Sequence, residues 1–132
     1  MKKKSSSTQT VAINQMTKGK LPRLPFVSMK DTILGTKYEL SVVFATKKVS
    51  AELNEKYRGK VGPTNILSFA LSSSSGELVL EEGMVRKNAP DFDMTYEKFL
   101  AYLLIHGMLH LKGIDHGSTM DREERKFLKK FS

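Results

Sequence analysis

The order of apolar patterns along the chain predicts an α/β (α+β) fold, a small mixed sheet packed by helices, with one long helix near the C-terminus. Three observations carry this. Residues 38–45 (YELSVVFA), 65–71 (NILSFAL) and 77–81 (ELVLE) are rich in β-branched and aromatic residues and read as strands. Apolar residues recur at three- and four-residue steps across residues 95–112, the spacing of a helix face. Helical and strand patterns interleave, which favours helices layered on a sheet.

The chain has 132 residues, the size of one domain. It is read as a flexible basic tail over residues 1–10 and a single domain over residues 11–132, because the start is rich in lysine and serine. Cysteine is absent. That excludes a disulfide scaffold, a thiolate metal site and a cysteine nucleophile, so any metal must be held by His, Asp, Glu or backbone oxygen. Lys plus Arg number 22 against 14 for Asp plus Glu, a net charge of +8. Such an excess favours a polyanionic partner: RNA, DNA or an acidic membrane surface. The lysines at the start have no apolar stretch behind them, and residues 99–111 are too short to span a bilayer, so a cytoplasmic location is expected.

The elements follow in order. Residues 11–16 alternate in part and read as a short edge strand, and Pro22 and Pro25 punctuate a loop. Residues 26–34 place Phe26, Val27, Met29, Lys30, Ile33 and Leu34 at helical spacing, with Gly35 as the cap. After the strand at 38–45, residues 49–57 read as a helix that Gly59 ends. The strands at 65–71 and 77–81 flank a polar run and are expected to form an antiparallel hairpin. Residues 84–89 read as a short helix stopped by Pro90, and Thr95 as the N-cap of the long helix. Ser118 is the expected cap of a last helix, with Phe127, Leu128 and Phe131 on its apolar side.

All three histidines lie in the segment HGMLHLKGIDH, residues 106–116. His106 and His110 are four apart on the predicted helix, so both imidazoles leave one face. Gly113 is suited to the left-handed conformation that ends a helix, and the reversal would bring His116 back as a third ligand. A single histidine pair on a helix is usually structural. Three around a glycine turn point instead to a metal-binding helix with an open coordination position, as a catalytic zinc-type site keeps. Zinc is the first choice for three imidazoles, with nickel or another divalent ion as alternatives.

The spacing H-x-x-x-H-x-x-G-x-x-H is also that of the metzincin proteases, which need Glu directly after the first histidine. Here that residue is Gly107, which moves no proton, so peptide hydrolysis by that route is not expected. Asp115 is read as a carboxylate that orients a histidine or caps the helix, or as a base.

The segment HGMLHLKGIDH resembles the signature of the YbeY family of bacterial metal-dependent endoribonucleases. Two further blocks support this in the same order: LNEKYRGK at residues 53–60 with PTNILSF at 63–69, and Gly76-Glu77-Leu78. The likeness runs over residues 38 to 128. Family members usually carry Pro after the Ser-Phe pair, where this chain has Ala70. The resemblance implies one zinc ion held by His106, His110 and His116, and a functional arginine at Arg58. It also implies cleavage of single-stranded RNA in ribosomal RNA processing, small-subunit maturation and ribosome quality control. An arginine fork suits bidentate grip of a phosphate. Lys47, Lys48, Lys56 and Lys60 lie close by in sequence and are candidates to track an RNA backbone, or form a solvated helix face. Two rivals stay open. One is a non-catalytic ribosome-assembly factor with a structural zinc site. The other is a hydrolase of another substrate, an amide or a small phosphoester.

Overall fold

A computed structural model describes residues 11–115 and 117–131. The basic tail predicted at residues 1–10, and His116, lie outside the described residues.

Among the described residues, four strands form one mixed sheet in the order β1-β2-β4-β3. They are β1 (Val11–Gln15), β2 (Glu39–Phe44), β3 (Ile66–Ser72) and β4 (Ser75–Leu80). β1 and β4 run parallel to β2, whereas β3 and β4 form the predicted antiparallel hairpin. β3 is therefore an edge strand. The helices are α1 (Phe26–Leu34), α2 (Lys47–Arg58), α3 (Glu82–Asn88), α4 (Tyr96–Lys112) and α5 (Ser118–Phe131), with a 3-10 turn at Ala89–Phe92.

Side chains alternate along the central strands, so the sheet feeds two cores. Val42, Phe44, Leu78 and Leu80 join α1 and α4 in the larger one, with Met29, Phe99, Leu104 and Met108. Val43, Ala45, Leu67 and Val79 form the smaller one on the opposite face, covered by Val49 and Leu53 of α2. Met120 and Phe127 of α5 close the larger core over α4. α4 is thus enclosed by the sheet on one side and α5 on the other, which explains its nearly all-round apolar sequence.

Local chemistry sets the element ends. Thr46 Oγ1 accepts from the Val49 N–H at 3.2 Å, so α2 starts two residues before the predicted onset. The buried Glu81 carboxylate caps Gly83 and Met84 at 2.8 and 3.0 Å, which likewise starts α3 earlier than expected. Pro90 does not stop the chain's turning, because the 3-10 turn accommodates it near its start. Ser118 is the first helical residue of α5 and not its cap; the Asp121 N–H donates to the Gly117 carbonyl at 3.0 Å. Lys30, on the apolar side of α1, is fully buried. Its Nζ donates to the carbonyls of Gly35 and Thr36 at 3.1 and 3.0 Å, and pairs with Asp31, so the charge is matched at the helix end.

Gly76 sits in β4 directly beneath Tyr38 and Leu111. A methyl group there would crowd the Tyr38 hydroxyl and stand 2.9 Å from both Leu111 Cδ atoms. Gly76→Ala is therefore expected to cost about 1–3 kcal/mol by overpacking. The measurement is urea unfolding, with a lower midpoint at an unchanged slope.

Candidate active site

His106 and His110 leave one face of α4, as their spacing predicts, and both line a cleft of about 730 Å³. Their Nε2 atoms stand 3.1 Å apart. Two nitrogens bound to one tetrahedral ion with arms of about 2.0–2.1 Å would be separated by roughly 3.3 Å, so the pair fits two positions of such a shell. Gly113 takes φ 101°, and its N–H and that of Ile114 satisfy the last carbonyls of α4. α5 packs back against α4, with Glu124 meeting Tyr102 and His106. His116, the third expected ligand, lies outside the described residues, and among those no three His, Asp or Glu side chains converge on one ion position.

α5 brings a group that the sequence reading does not single out. The Glu124 carboxylate meets His106 Nδ1 from behind. A carboxylate accepts, so Nδ1 is the donor in this contact, and the Nε2 atom is turned toward His110. This is the arrangement that orients and sharpens a metal-ligating imidazole. Glu124 is 6% exposed and also accepts from the Tyr102 hydroxyl at 3.4 Å. Burial, followed by the Glu124 charge, pushes the Tyr102 phenol above its usual range. The signal in the sequence was available: Met120, Glu124 and Phe127 recur at steps of four and three, a carboxylate on an apolar stripe. Asp115, the carboxylate expected to orient a histidine, is exposed in the turn after α4.

Gly107 faces the sheet. A Cβ there would stand 2.7 Å from Leu78 Cδ2 and 3.1 Å from Ile66 Cδ1 and Ser68 Oγ. The position that holds a glutamate in the proteases of the same spacing is here occupied by helix–sheet packing.

The other wall of the cleft comes from the end of α2, the following loop and β3. It includes Tyr57, Arg58, Thr64, Asn65, Ser68 and Phe69. Arg58, the last residue of α2, thus shares one cleft with the histidine pair. Its position is fixed by buried polar contacts below it. Ser50 Oγ exchanges hydrogen bonds with the Thr64 backbone at 3.0 Å, and Asn54 Nδ2 donates to the Gly62 carbonyl at 2.9 Å. Gly59, at φ 66°, turns the chain into this loop. Lys56 and Lys60 flank Arg58 on exposed positions. Lys47 and Lys48 occupy the opposite end of α2, and none of the four lysines lines the cleft.

Removing the Glu124 carboxylate tests the His106 arrangement without any metal. In chelator-treated protein, nitrogen NMR is expected to show His106 as the Nδ1–H tautomer. Glu124→Ala shifts it away from that form and costs about 1–3 kcal/mol, because a half-buried donor loses its partner. An unchanged tautomer in the variant would mean that Glu124 does not hold the ring.

Comparison with known proteins accords with this geometry. The family profile described as "Endoribonuclease YbeY" matches residues 3–132. A relative of that name from Petrotoga mobilis is 38% identical over 93 residues, 68% of this chain and 64% of the relative. One from Shouchella clausii is 34% identical over 114 residues, 74% of this chain and 69% of the relative. Another, from Coxiella burnetii, is 41% identical over 99 residues, 70% of this chain and 65% of the relative. The matched part of the chain thus spans about two thirds of these relatives' length. The solution structure of a Thermotoga maritima protein superposes with a TM-score of 0.65 at 27% identity, over 90% of this chain and 87% of that one. With a match over nearly its whole length, the chain belongs to the YbeY endoribonuclease family.

Proposed function

We propose that this protein is a zinc-dependent endoribonuclease that cleaves single-stranded RNA. Ribosomal RNA is its substrate in this reading, in small-subunit maturation and ribosome quality control, with the small subunit or its assembly factors as partners. The observation that carries the proposal is the His106–His110 pair, backed by Glu124 and opening onto the cleft that also holds Arg58.

In this reading His106, His110 and His116 hold one ion. When bound, a zinc ion supplies Lewis acidity and lowers the pKa of coordinated water. Glu124 fixes the His106 tautomer and keeps its Nε2 lone pair turned into the cleft. Arg58 grips the scissile phosphate through its guanidinium fork and offsets the negative charge that develops during cleavage. Lys56 and Lys60 extend that positive edge along the RNA backbone. Lys47 and Lys48 serve a longer-range attraction from the far end of α2, together with the net charge of +8. The open cleft beside both histidines supports catalysis over a structural site, which would enclose its metal.

Three variants test the reading. Purified wild type is expected to hold one zinc per chain and to cleave single-stranded ribosomal RNA. His110→Ala loses metal and cleavage together. Arg58→Glu keeps fold and zinc, but its cleavage falls by roughly a hundredfold or more. Glu124→Gln weakens zinc binding by about 10- to 100-fold, measured by competition with a chelator. Cleavage retained by folded, zinc-free His110→Ala sinks the mechanism. Bound zinc without cleavage, in a preparation free of contaminating nuclease, favours the assembly-factor reading.

A further inference from the structure

Phe92 ends the 3-10 turn before α4 and is 49% exposed, an unusual place for a phenyl ring. It lines the cleft that holds the histidines. Its ring is held from beneath. Phe99, fully buried, stacks against it at 4.8 Å and 29°, and Tyr102 lies 5.9 Å away. Tyr102 in turn lies 6.1 Å from the His106 ring. Phe92 therefore stands two ring spacings from the histidine pair. The turn behind it is closed by Asp93 at φ 58°, the one non-glycine residue with positive φ among the described residues. Its N–H bonds to the Pro90 carbonyl at 3.0 Å. Aspartate tolerates this left-handed conformation, and the ring carried by the turn is held by its contacts with Phe99 and Tyr102.

Charge divides the cleft. Arg58 lines the wall formed by α2 and its loop, with the exposed Lys56 and Lys60 two positions either side of it in sequence, whereas the exposed Asp91 and Asp93 are the chain neighbours of Phe92 on the other wall. A polyanionic backbone is attracted to the first edge and repelled from the second. An RNA strand lying in the cleft with its phosphates toward Arg58 would turn its bases toward Phe92. An exposed, rigidly backed aromatic face suits such a base, because every base presents a π-face for stacking.

We propose that Phe92 is a base-stacking subsite, which takes one unpaired nucleobase adjacent to the phosphate held at Arg58 and the histidines. The inference rests on the RNA-cleaving reading above and adds the residue by which the cleft discriminates a splayed strand from a duplex. In a duplex both faces of each base are already stacked, so Phe92 has nothing to receive.

The test is stopped-flow binding, before turnover, of short single-stranded RNAs carrying 2-aminopurine at one position at a time. Wild type is expected to quench the fluorophore at one position. Phe92→Leu, which keeps an apolar contact with Phe99, loses that quench, and its Kd rises roughly 5- to 100-fold; Phe92→Tyr retains both. An abasic site at the quenched position imposes a similar loss on wild type and removes most of the effect of Phe92→Leu. Duplex RNA binding is unchanged by the variant. If wild type binds RNA and Phe92→Leu leaves quench and Kd unaltered, the subsite is overturned. A full penalty that persists on abasic RNA also overturns it, because Phe92 then acts through the fold. Wild type that binds no RNA overturns the RNA reading itself, a separate result.

Discussion

The close approach of α4 to the sheet at Gly107 is the constraint on which the site depends. With Leu78, Ile66 and Ser68 against the Gly107 Cα, the helix cannot turn about its axis without driving side chains into β3 and β4. That fixes the adjacent face, so His106 and His110 emerge half-buried at the rim of the sheet. The long run of buried apolar residues on α4, from Phe99 to Leu109, anchors the helix in the larger core. A precise pair of imidazoles is thus carried on the most deeply enclosed helix and not on a loop.

Around that helix the polar groups are arranged in layers. Glu124 comes from α5, whose apolar residues Met120 and Phe127 seat it against α4, so the carboxylate is delivered by packing. Burying a carboxylate is expensive unless it is hydrogen-bonded, and here it accepts from the His106 ring and the Tyr102 hydroxyl. Both donors lie on α4, so one acid ties the two helices and sets the histidine tautomer at once. On the other wall, Ser50 and Asn54 tie the loop after α2 to the helix, and Arg58 is placed by that tie. Asn54 and Thr64, which lie within the family-like segments 53–60 and 63–69, therefore have a structural role in holding this loop.

The cleft is asymmetric in charge and in surface. Its basic edge follows Arg58, and its aromatic edge follows Phe92 and Tyr102. Single-stranded nucleic acid has a charged backbone and apolar base faces on opposite sides, and the two edges match that division. No helix among the described residues is long and apolar enough to cross a membrane.

The local elements were legible in the sequence because their causes are local. Period and capping at Phe26–Leu34, at Thr95 and at Gly113, and the hairpin around the serine run, depend on residues within a few positions of one another. So does the facing of His106 and His110, which follows from helix geometry alone. Helix onsets at Lys47 and Glu82 were displaced because Thr46 and Glu81 cap them, and a buried glutamate cap reads in sequence as a strand end. The sheet order, with β3 outside β4, needed the tertiary structure, since which parallel strand lies beside which is set by how helices cover both faces. Glu124 was hidden for the same reason. Within the run Asp121 to Lys126 it looks like one more surface charge, and only the packing of α5 on α4 turns it inward, 18 positions from the ring it meets. The sequence by itself determined the helices, the strands and the shared helix face of His106 and His110. The tertiary structure alone decided which carboxylate stands behind His106 and which residues share its cleft, because those contacts join segments that chain order keeps apart.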